Sequence, residues 1–249
     1  MKILILCAGL GTRLGNLTAN NPKCLVKVNS KTILDRILNQ LSNLGLNKND
    51  VFLCGGYKNE LLPSSYTKFV NHKFKTTNMM MTTFVGLNHL KDILIQTDNV
   101  LLIYGDCIYS DKFLSKLIKK VDFLTQITIP VDLDWKSKWS KRYENIFEDA
   151  ETLKYDQMSN RLLSIGEKTF IEEDYMAQFM GIYIIPNKLI YNFVRSFKLL
   201  PLELQNKIST TEFYQKTSKQ INYFVMPDKY NWTEVDTLDD LSYARENFL

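Results

Sequence analysis

The chain has 249 residues, 45% of them hydrophobic and 12% aromatic, and its formal net charge is +4 at pH 7. This composition is sufficient for a sizeable core. The modest charge, with lysines spread along the chain, argues against a nucleic-acid-binding protein and favours anionic small molecules as partners.

The chain contains four cysteines without Cys-x-x-Cys spacing and only two histidines. This pattern argues against a zinc site and indicates a reducing cytoplasm. The N-terminal apolar run is about six residues long, too short for a signal peptide or a membrane span. We therefore expect a cytoplasmic protein with neither a membrane nor a nucleic acid as partner.

The first half of the chain alternates predicted strands and helices, identified from apolar runs and from apolar residues at helical spacing. In chain order these are a strand at 3–6, an apolar piece at 26–28, a helix at 33–44 ending at Gly45, strands at 51–54 and 66–71, a helix at 79–90, and a strand at 99–104. The order predicts an α/β fold with a doubly wound, mainly parallel mixed sheet between helices.

The second half is less regular. Its predicted elements are a strand at 123–131, a helix at 135–143, a hairpin at 152–165, a strand at 180–185, a polar helix, a strand at 221–225 and a closing helix from Leu238. No linker of Gly, Ser or Pro and no internal repeat interrupts the chain. We therefore expect residues 1–249 to form a single domain whose second half faces the substrate.

The first strand runs into a glycine-rich turn, Ala8-Gly9-Leu10-Gly11-Thr12. Small residues leave backbone N–H groups free to face a phosphate, and Arg13 and Lys23 add positive charge. A Gly-x-Gly turn alone also occurs at ordinary strand-to-helix junctions. The loop is not a dinucleotide fingerprint, because the third glycine would fall at Leu14, and no Gly-Lys-Ser/Thr follows as in a Walker loop. With its two cations, it is best interpreted as a triphosphate cradle.

Two aspartates stand at strand ends. Asp106 follows the strand at 99–104, where doubly wound folds bind ligands, although an acidic residue there is often only a turn former. Asp236 lies at a second junction, where Thr237 is a plausible N-cap with Asp240 completing a capping box.

The pattern Gly9-x-Gly11-Thr12-Arg13, Thr18 and Pro22-Lys23, with Glu234-Val235-Asp236, resembles the signature of nucleotidyltransferases that make sugar nucleotides and CDP-activated compounds. The middle segment, 131–153, is similar to CTP-dependent cytidylyltransferases of the phosphocholine, phosphoglutamine and phosphonate types. Asn16 departs from the proline common in this family. The resemblance implies a Rossmann-like nucleotidyltransferase fold and transfer of CMP from CTP to a small phosphorylated acceptor, with Mg²⁺ as cofactor, for bacterial capsule or surface-polysaccharide decoration.

The resemblance also implies roles for individual residues. The catalytic residues would be Arg13, Lys23 and Lys168, and the metal ligands Asp106 and Asp236. The nucleotide-binding residues would be Cys7, Ala8, Gly9, Leu10, Gly11, Thr12, Gly55, Gly56, Tyr57, Thr77, Asn78 and Gly105. The acceptor-binding residues would be Trp135, Trp139, Arg142, Glu151 and Gly181. Asn78 matches an asparagine of the choline-type enzymes, which favours cytosine as the base.

Trp135, Trp139 and Tyr143 would share one face of the predicted helix at 135–143. That face either packs on the sheet or walls the acceptor pocket, where aromatic rings would suit an ammonium group. The segment is also basic, and Arg142 is suited to clasp a carboxylate. The charge favours a zwitterionic acceptor such as phosphoglutamine over phosphocholine.

Three alternatives compete with a cytidylyltransferase. A sugar-1-phosphate nucleotidyltransferase with another nucleoside triphosphate would share the loop and the aspartates. A metal-dependent glycosyltransferase would need Asp-x-Asp, whereas this chain has Asp106-Cys107-Ile108. A degenerate nucleotide-binding regulatory subunit would not need to retain Arg13, Lys23, Asp106 and Asp236 together. A homodimer is expected from the family resemblance alone.

Overall fold

A mixed β-sheet lies between two layers of helices in the computed structural model, which describes residues 1–147, 149–167, 169 and 171–248. The strands are β1 (Lys2–Cys7), β2 (Lys27–Val28), β3 (Lys31–Thr32), β4 (Val51–Gly55), β5 (Thr67–Val70), β6 (Val100–Tyr104), β7 (Cys107–Tyr109), β8 (Ile127–Asp132), β9 (Leu153–Tyr155), β10 (Leu162–Ile165), β11 (Gln178–Phe179), β12 (Ile182–Ile185), β13 (Tyr223–Asp228) and β14 (Trp232–Glu234). The helices are α1 (Ile33–Asn43), α2 (Met79–Leu90), α3 (Asp111–Val121), α4 (Trp135–Trp139), α5 (Asn187–Lys198), α6 (Leu202–Lys207), α7 (Thr210–Thr217) and α8 (Leu238–Asn247).

The main sheet has the order β11-β8-β12-β6-β1-β4-β5, and β13 pairs with β8. The strand β1 pairs in parallel with β4 and β6, and β4 pairs in parallel with β5. Antiparallel pairing enters through β12, which lies against β6. The predicted doubly wound, mainly parallel mixed sheet is therefore confirmed.

Each face of the sheet is covered by its own set of helices. In β1, Ile3 and Ile5 point to one face and pack with α1, α3 and α8. Leu4 and Leu6 point to the other face and pack with α2, α5 and α7. Because side chains alternate along a strand, one apolar strand supplies both cores, which gives the predicted three-layer arrangement.

The second half departs from prediction at two places. The helix predicted at 135–143 ends at Trp139, because the chain then turns inward and buries Arg142 against Asp240. The single polar helix predicted after 185 is three helices, since Pro201 starts a new helix at α6 and proline cannot continue the preceding one. The hairpin predicted at 152–165 is confirmed by the antiparallel β9 and β10.

One edge of the sheet collects the ends of β1, β4 and β6, since these strands are parallel. The chain leaves β6 through Gly105 and Asp106 and forms β7, which pairs antiparallel with β14. This small ladder returns the C-terminal part of the chain to the same edge. Within the described ranges, no helix is long and apolar enough to cross a membrane.

Candidate active site

The loop after β1 keeps backbone donors free. Gly11 has a φ of 66°, and a Cβ there would lie 2.9 Å from Cγ2 of Thr18 and 3.1 Å from Cβ of Lys23. The Thr18 hydroxyl donates to the Gly11 carbonyl over 2.7 Å and closes the loop. The backbone N–H groups of Gly9, Leu10 and Gly11 donate to no acceptor in the described chain. Unpaired N–H groups in such a turn are suited to an anion.

Four charged side chains meet beside this loop, and we call them the charged cluster: Arg13, Lys23, Asp106 and Asp236. The Lys23 ammonium lies 2.7 Å from Oδ2 of Asp106 and also contacts Oδ1 of Asp236. Arg13 donates to Oδ2 of Asp236 over 2.6 Å, and its other nitrogen lies 3.7 Å from Asp149. Lys23 is buried whereas the Arg13 side chain is 57% exposed. The cluster therefore contains one buried cation and one largely exposed cation.

Backbone pairing explains why two aspartates so distant in sequence meet. In the β7–β14 ladder, Cys107 lies opposite Glu234. The next N–H along the chain, that of Val235, donates to the Asp106 carbonyl over 3.0 Å. Asp106 and Asp236 therefore lie on neighbouring segments at the same end of the ladder. The structure thus brings together the two aspartates that the sequence resemblance implies as metal ligands.

Asp240 stabilises the turn that carries Asp236 by accepting hydrogen bonds from its backbone. Its Oδ2 accepts the backbone N–H groups of Asp236 and Thr237, at 3.0 and 2.9 Å. Its Oδ1 accepts from Arg142 over 2.7 Å, in an ion pair whose side chains are 1% and 0% exposed. The Arg142 guanidinium also stacks over the Trp139 ring at 4.2 Å. Arg142, which was expected to bind the acceptor, is therefore buried in the interior. There it positions the turn that carries Asp236, through Asp240.

Trp135 and Trp139 are each 1% exposed and pack edge to face at 6.1 Å. Trp139 also contacts Trp232 at 5.9 Å. These rings belong to the core under the sheet and are not accessible to a ligand in this conformation. The alternative in which the aromatic face packs inward is the one the structure shows, so an aromatic acceptor wall made of these residues is not supported.

The predicted nucleotide-binding residues cluster at the ends of three strands. Cys7 and Ala8 are buried at the end of β1, and a Cβ on Gly56 would lie 2.9 Å from Cβ of Ala8. The backbone N–H of Gly105 donates to the Leu6 carbonyl over 2.9 Å. The loops after β1, β4 and β6 are therefore in contact, and their binding of a nucleotide stays a prediction.

Thr77 and Asn78 have partners within the protein. The Thr77 hydroxyl donates to the Lys73 carbonyl over 2.9 Å, and the Asn78 amide donates to the Lys207 carbonyl. Asn78 is the N-cap residue of α2, although its side chain does not cap the helix. These contacts hold residues 77 and 78 against Lys73 and the end of α6. Recognition of the base by Thr77 and Asn78 stays a prediction.

A cleft of about 360 Å³ opens next to Asp236. Four of its lining residues are acidic: Asp149, Glu151, Glu234 and Asp236. The others are Asn78, Met79, Tyr104, Gln178, Phe179, Gly181, Ser209, Thr210 and Thr211. Two predicted acceptor residues, Glu151 and Gly181, therefore face this space. Gly181 has a φ of 65°, and a Cβ there would lie 3.0 Å from the Tyr104 ring.

Burial raises the pKa of two carboxyl groups in the cleft. The pKa of Glu234 rises to about 8, because Asp149 and Asp240 add to the effect of burial while Arg142 and Lys23 oppose it. Desolvation in the cleft also raises the pKa of Glu151, although the residue is partly open to solvent. The hydrogen bond that its carboxylate accepts from Thr211 acts in the opposite direction.

The donors in the charged cluster fit magnesium. Asp106 and Asp236 are held by one ammonium group and so lie within a few ångströms of each other. Within the described ranges, no group of three or more His, Cys, Asp or Glu residues could hold a metal. A pair of carboxylates completed by phosphate oxygens and water is the usual magnesium arrangement in such sites.

A larger cleft of about 610 Å³ lies between α1 and the start of α3, and none of the predicted site residues lines it. Lys168, predicted to hold the acceptor phosphate, lies outside the described residues.

Sequence reasoning did not assign a site role to Asp149, Gln178, Glu234 or Asp240. Asp149 and Glu234 stand inside motifs that the sequence singled out, so proximity to Glu151 and Asp236 was an available signal. Asp240 was recognised as part of a capping box, which the structure confirms. Gln178 carries no local pattern, because its place in the cleft depends on the pairing of β11 with β8.

Comparison with known proteins gives the class. Residues 3–168 match the family described as the MobA-like NTP transferase domain. A CTP:phosphoglutamine cytidylyltransferase of Campylobacter jejuni is 28% identical over 259 positions, which cover 99% of this chain and 100% of the relative. The solved CTP:phosphocholine cytidylyltransferase of Streptococcus pneumoniae has a TM-score of 0.70 at 19% identity, covering 98% of this chain and 97% of that one. The inositol-1-phosphate CTP transferase of T. maritima has a TM-score of 0.70 at 20% identity, covering 98% and 93%.

The chain therefore belongs to the MobA-like NTP transferase domain family. It is a nucleotidyltransferase, and the Rossmann-like fold implied by the sequence resemblance is confirmed.

Arg142→Met should destabilise the protein by about 3–5 kcal/mol, because it leaves the Asp240 carboxylate buried without its cation. Urea denaturation measures the free energy of unfolding. Arg195→Met, at an exposed position on α5, is the matched control and should change stability by less than about 0.5 kcal/mol. Equal values for the two variants would show that the Arg142–Asp240 pair does not hold the turn.

Glu234→Gln should make the protein more stable at alkaline pH. The folded state holds the Glu234 proton up to a pKa of about 8, against an ordinary value of 4.5. The stability that this proton contributes is complete below pH 4.5 and is lost as the pH rises through 8.

Thermal denaturation of the metal-free protein in EDTA measures this difference. The Tm of Glu234→Gln relative to wild type should rise between pH 5 and pH 9 by at least about 3 °C, roughly the shift for 1 kcal/mol in a chain of this size. Glu246→Gln, exposed on α8, should show no such trend. If the difference in Tm between Glu234→Gln and wild type stayed constant across this pH range, the raised pKa of Glu234 would be refuted.

Proposed function

We propose that the chain transfers CMP from CTP to a small phosphorylated acceptor and releases pyrophosphate. The observation that carries the proposal is the charged cluster beside a loop with free backbone N–H groups. The choice of CTP is supported by the Campylobacter jejuni relative, which is a CTP-dependent enzyme and matches the chain over 99% of its length. The acceptor types that we consider are phosphoglutamine, phosphocholine and phosphonates, which would give a CDP-linked or CMP-linked product.

The triphosphate would lie over the loop from Gly9 to Thr12. Its N–H groups have no partner in the described chain, so they are available to phosphate oxygens. Arg13 is largely exposed and bonded to Asp236 and Asp149. On binding, it would exchange these carboxylates for the β- and γ-phosphates and hold the departing pyrophosphate.

Asp106 and Asp236 would hold the magnesium ion. When bound, magnesium neutralises charge on the phosphates between which the bond breaks. Lys23 lies between the same two carboxylates, and its ammonium group would turn to the α-phosphate as charge develops there. A buried cation close to the α-phosphate stabilises the charge that develops there.

The acceptor requires no general base. A phosphomonoester is largely dianionic near neutral pH, since its second pKa is about 6. Its oxygen forms a bond to the α-phosphorus while the bond from that phosphorus to the bridging oxygen breaks, and pyrophosphate leaves with the electron pair. The protein has to align the two reactants and offset their charges. Lys168 is proposed, from the sequence resemblance alone, to hold the attacking phosphate.

We propose that both halves of the chain act as one domain. The loop and Asp106 come from the first half, and the cleft is lined by residues from both, such as Asn78 and Thr210. The cytosine base is proposed to lie against Ala8, Gly55–Tyr57 and the segment at 77–78. A role in surface-polysaccharide decoration, and a homodimer, remain proposals that follow from the family resemblance.

Pyrophosphate release tests the function directly. The purified protein is incubated with Mg²⁺, each of CTP, UTP, GTP and dTTP, and a panel of phosphoglutamine, phosphocholine, phosphoethanolamine, 2-aminoethylphosphonate and glucose 1-phosphate. Release with CTP and a non-sugar acceptor is the expected result. Release only with glucose 1-phosphate would instead identify a sugar-1-phosphate nucleotidyltransferase, and release with no combination would refute the proposal.

Lys23→Met should lower kcat by about 10²–10³, the usual cost of removing one preorganised charge from a transition state. Lys27→Met, at an exposed position four residues further along the chain, is the control and should leave kcat unchanged. Circular dichroism checks that both variants fold. A kcat for Lys23→Met within threefold of wild type would remove Lys23 from the catalytic machinery.

A further inference from the structure

The loop after β1 has an outer part, residues 12–21, in which all side chains except Leu14 and Thr18 are exposed. Leu14 packs in the core and anchors the first half of this segment. In the second half, the Thr18 hydroxyl contacts the carbonyl oxygens of Gly11 and Gly15, at 2.7 and 3.2 Å. These two contacts close the turn between the glycines, but they stay within the loop and do not attach its second half to the rest of the protein.

Arg13 lies in this turn, between Gly11 and Gly15. Its side chain is 57% exposed and pairs with Asp236 and Asp149. Both partners are carboxylates, which the arginine exchanges for phosphates in the proposed reaction. Once phosphate is bound, the position of the guanidinium therefore depends on how firmly the loop backbone around it is held.

One hydrogen bond holds the second half of the loop from outside. The Tyr57 hydroxyl, from the turn after β4, donates to the Ala19 carbonyl over 2.5 Å. Among the described residues, no other hydrogen bond joins residues 15–21 to a part of the chain outside the loop at 8–23. Ala19 directly follows Thr18, so Tyr57 holds the residue next to the one that closes the turn.

The packing around Tyr57 places its hydroxyl for this contact. The centre of its ring lies 6.1 Å from that of Phe74. The preceding Gly56 is tightly enclosed, because a Cβ there would lie 2.7 Å from Cβ of Phe74 and 2.9 Å from Cβ of Ala8. The following Lys58 has a φ of 49°, in the left-handed region that residues other than glycine seldom adopt. The neighbours of Tyr57 therefore position it in the protein without a ligand.

We propose that Tyr57 is a positioning residue for the triphosphate. Its hydroxyl, through Ala19 and Thr18, holds the loop so that Arg13 faces the β- and γ-phosphates. The inference rests on the proposed function, since it concerns the nucleotide of the same reaction. It goes beyond the expectation that Tyr57 binds the nucleotide, because the hydroxyl acts on the protein while the ring stays free to contact the base. A role of this kind affects the triphosphate selectively, which a general structural role does not.

The test compares CTP with CMP, which share the base, the ribose and the α-phosphate. Isothermal titration calorimetry with Mg²⁺ and without acceptor gives both dissociation constants. Tyr57→Phe keeps the ring and removes the hydroxyl, so the loop has to be ordered on binding. The variant should bind CTP about three- to tenfold more weakly, the usual effect of one hydrogen bond, and CMP within a factor of about two. Tyr191→Phe, at a residue of α5 that is 66% exposed, is the control and should change neither constant.

A double variant tests whether the hydroxyl acts through Arg13. Arg13→Met removes the guanidinium and should weaken CTP binding by itself. When Tyr57→Phe is added to Arg13→Met, the affinity for CTP should change by less than about twofold, because residues that act as one unit give non-additive effects. The same substitution in the wild-type background should give the three- to tenfold loss stated above.

Three results would overturn the inference. One is an affinity of Tyr57→Phe for CTP that equals that of the wild type. Another is an equal loss of affinity for CTP and CMP, which would assign the hydroxyl to the base or to the overall fold. The third is the same loss for CTP in the Arg13→Met background as in the wild type. Each leaves CMP transfer intact, whereas a wild type that binds no nucleoside triphosphate would contradict the proposed function itself.

Discussion

The site depends on one ammonium group placed between two carboxylates. The carboxylates of Asp106 and Asp236 repel each other, and the Lys23 ammonium, which contacts both, offsets their charges. The lysine reaches this position because it follows the glycine loop, and Gly11 leaves room for its side chain. The phosphate loop, the end of β6 and the turn before α8 are thereby joined at one point.

A second layer of buried charge supports this point. Asp132, at the end of β8, accepts the backbone N–H of Tyr230 and the indole N–H of Trp232, both over 3.1 Å, and Lys138 neutralises it. The Arg142–Asp240 pair does the same for the next turn of the chain. Each carboxylate thus binds main-chain or indole donors of the returning segment. The basic residues that supply the counter-charges come from α4 and the turn after it. This explains why a segment rich in lysine and tryptophan contributes to structure where an acceptor site was expected.

Apolar pattern and turn chemistry predicted the fold well in the first half. Continuous runs such as 3–6 and 99–104 are typical of strands buried on both faces, and the helix at 79–90 agrees with α2. Short pieces were not predictable, because three residues such as those of β7 and β14 carry no periodicity, and their pairing depends on tertiary contact. The sequence also singled out the loop, Asp106 and Asp236, which the structure brings together, whereas it did not predict that Arg142 is buried against Asp240. Whether an arginine faces a ligand or a buried partner depends on Asp240, which local spacing cannot reveal.

Divalent-metal affinity without nucleotide tests the central interaction most directly. If the Lys23 ammonium occupies the space between the two carboxylates, its removal should free them for a cation. Manganese binding followed by electron paramagnetic resonance should therefore be at least about tenfold tighter in Lys23→Met than in wild type, a change of roughly 1.4 kcal/mol. The gain in manganese affinity should be lost in the double variant that combines Lys23→Met with Asp236→Asn. Equal manganese affinity in wild type and Lys23→Met, with both proteins folded, would contradict the account.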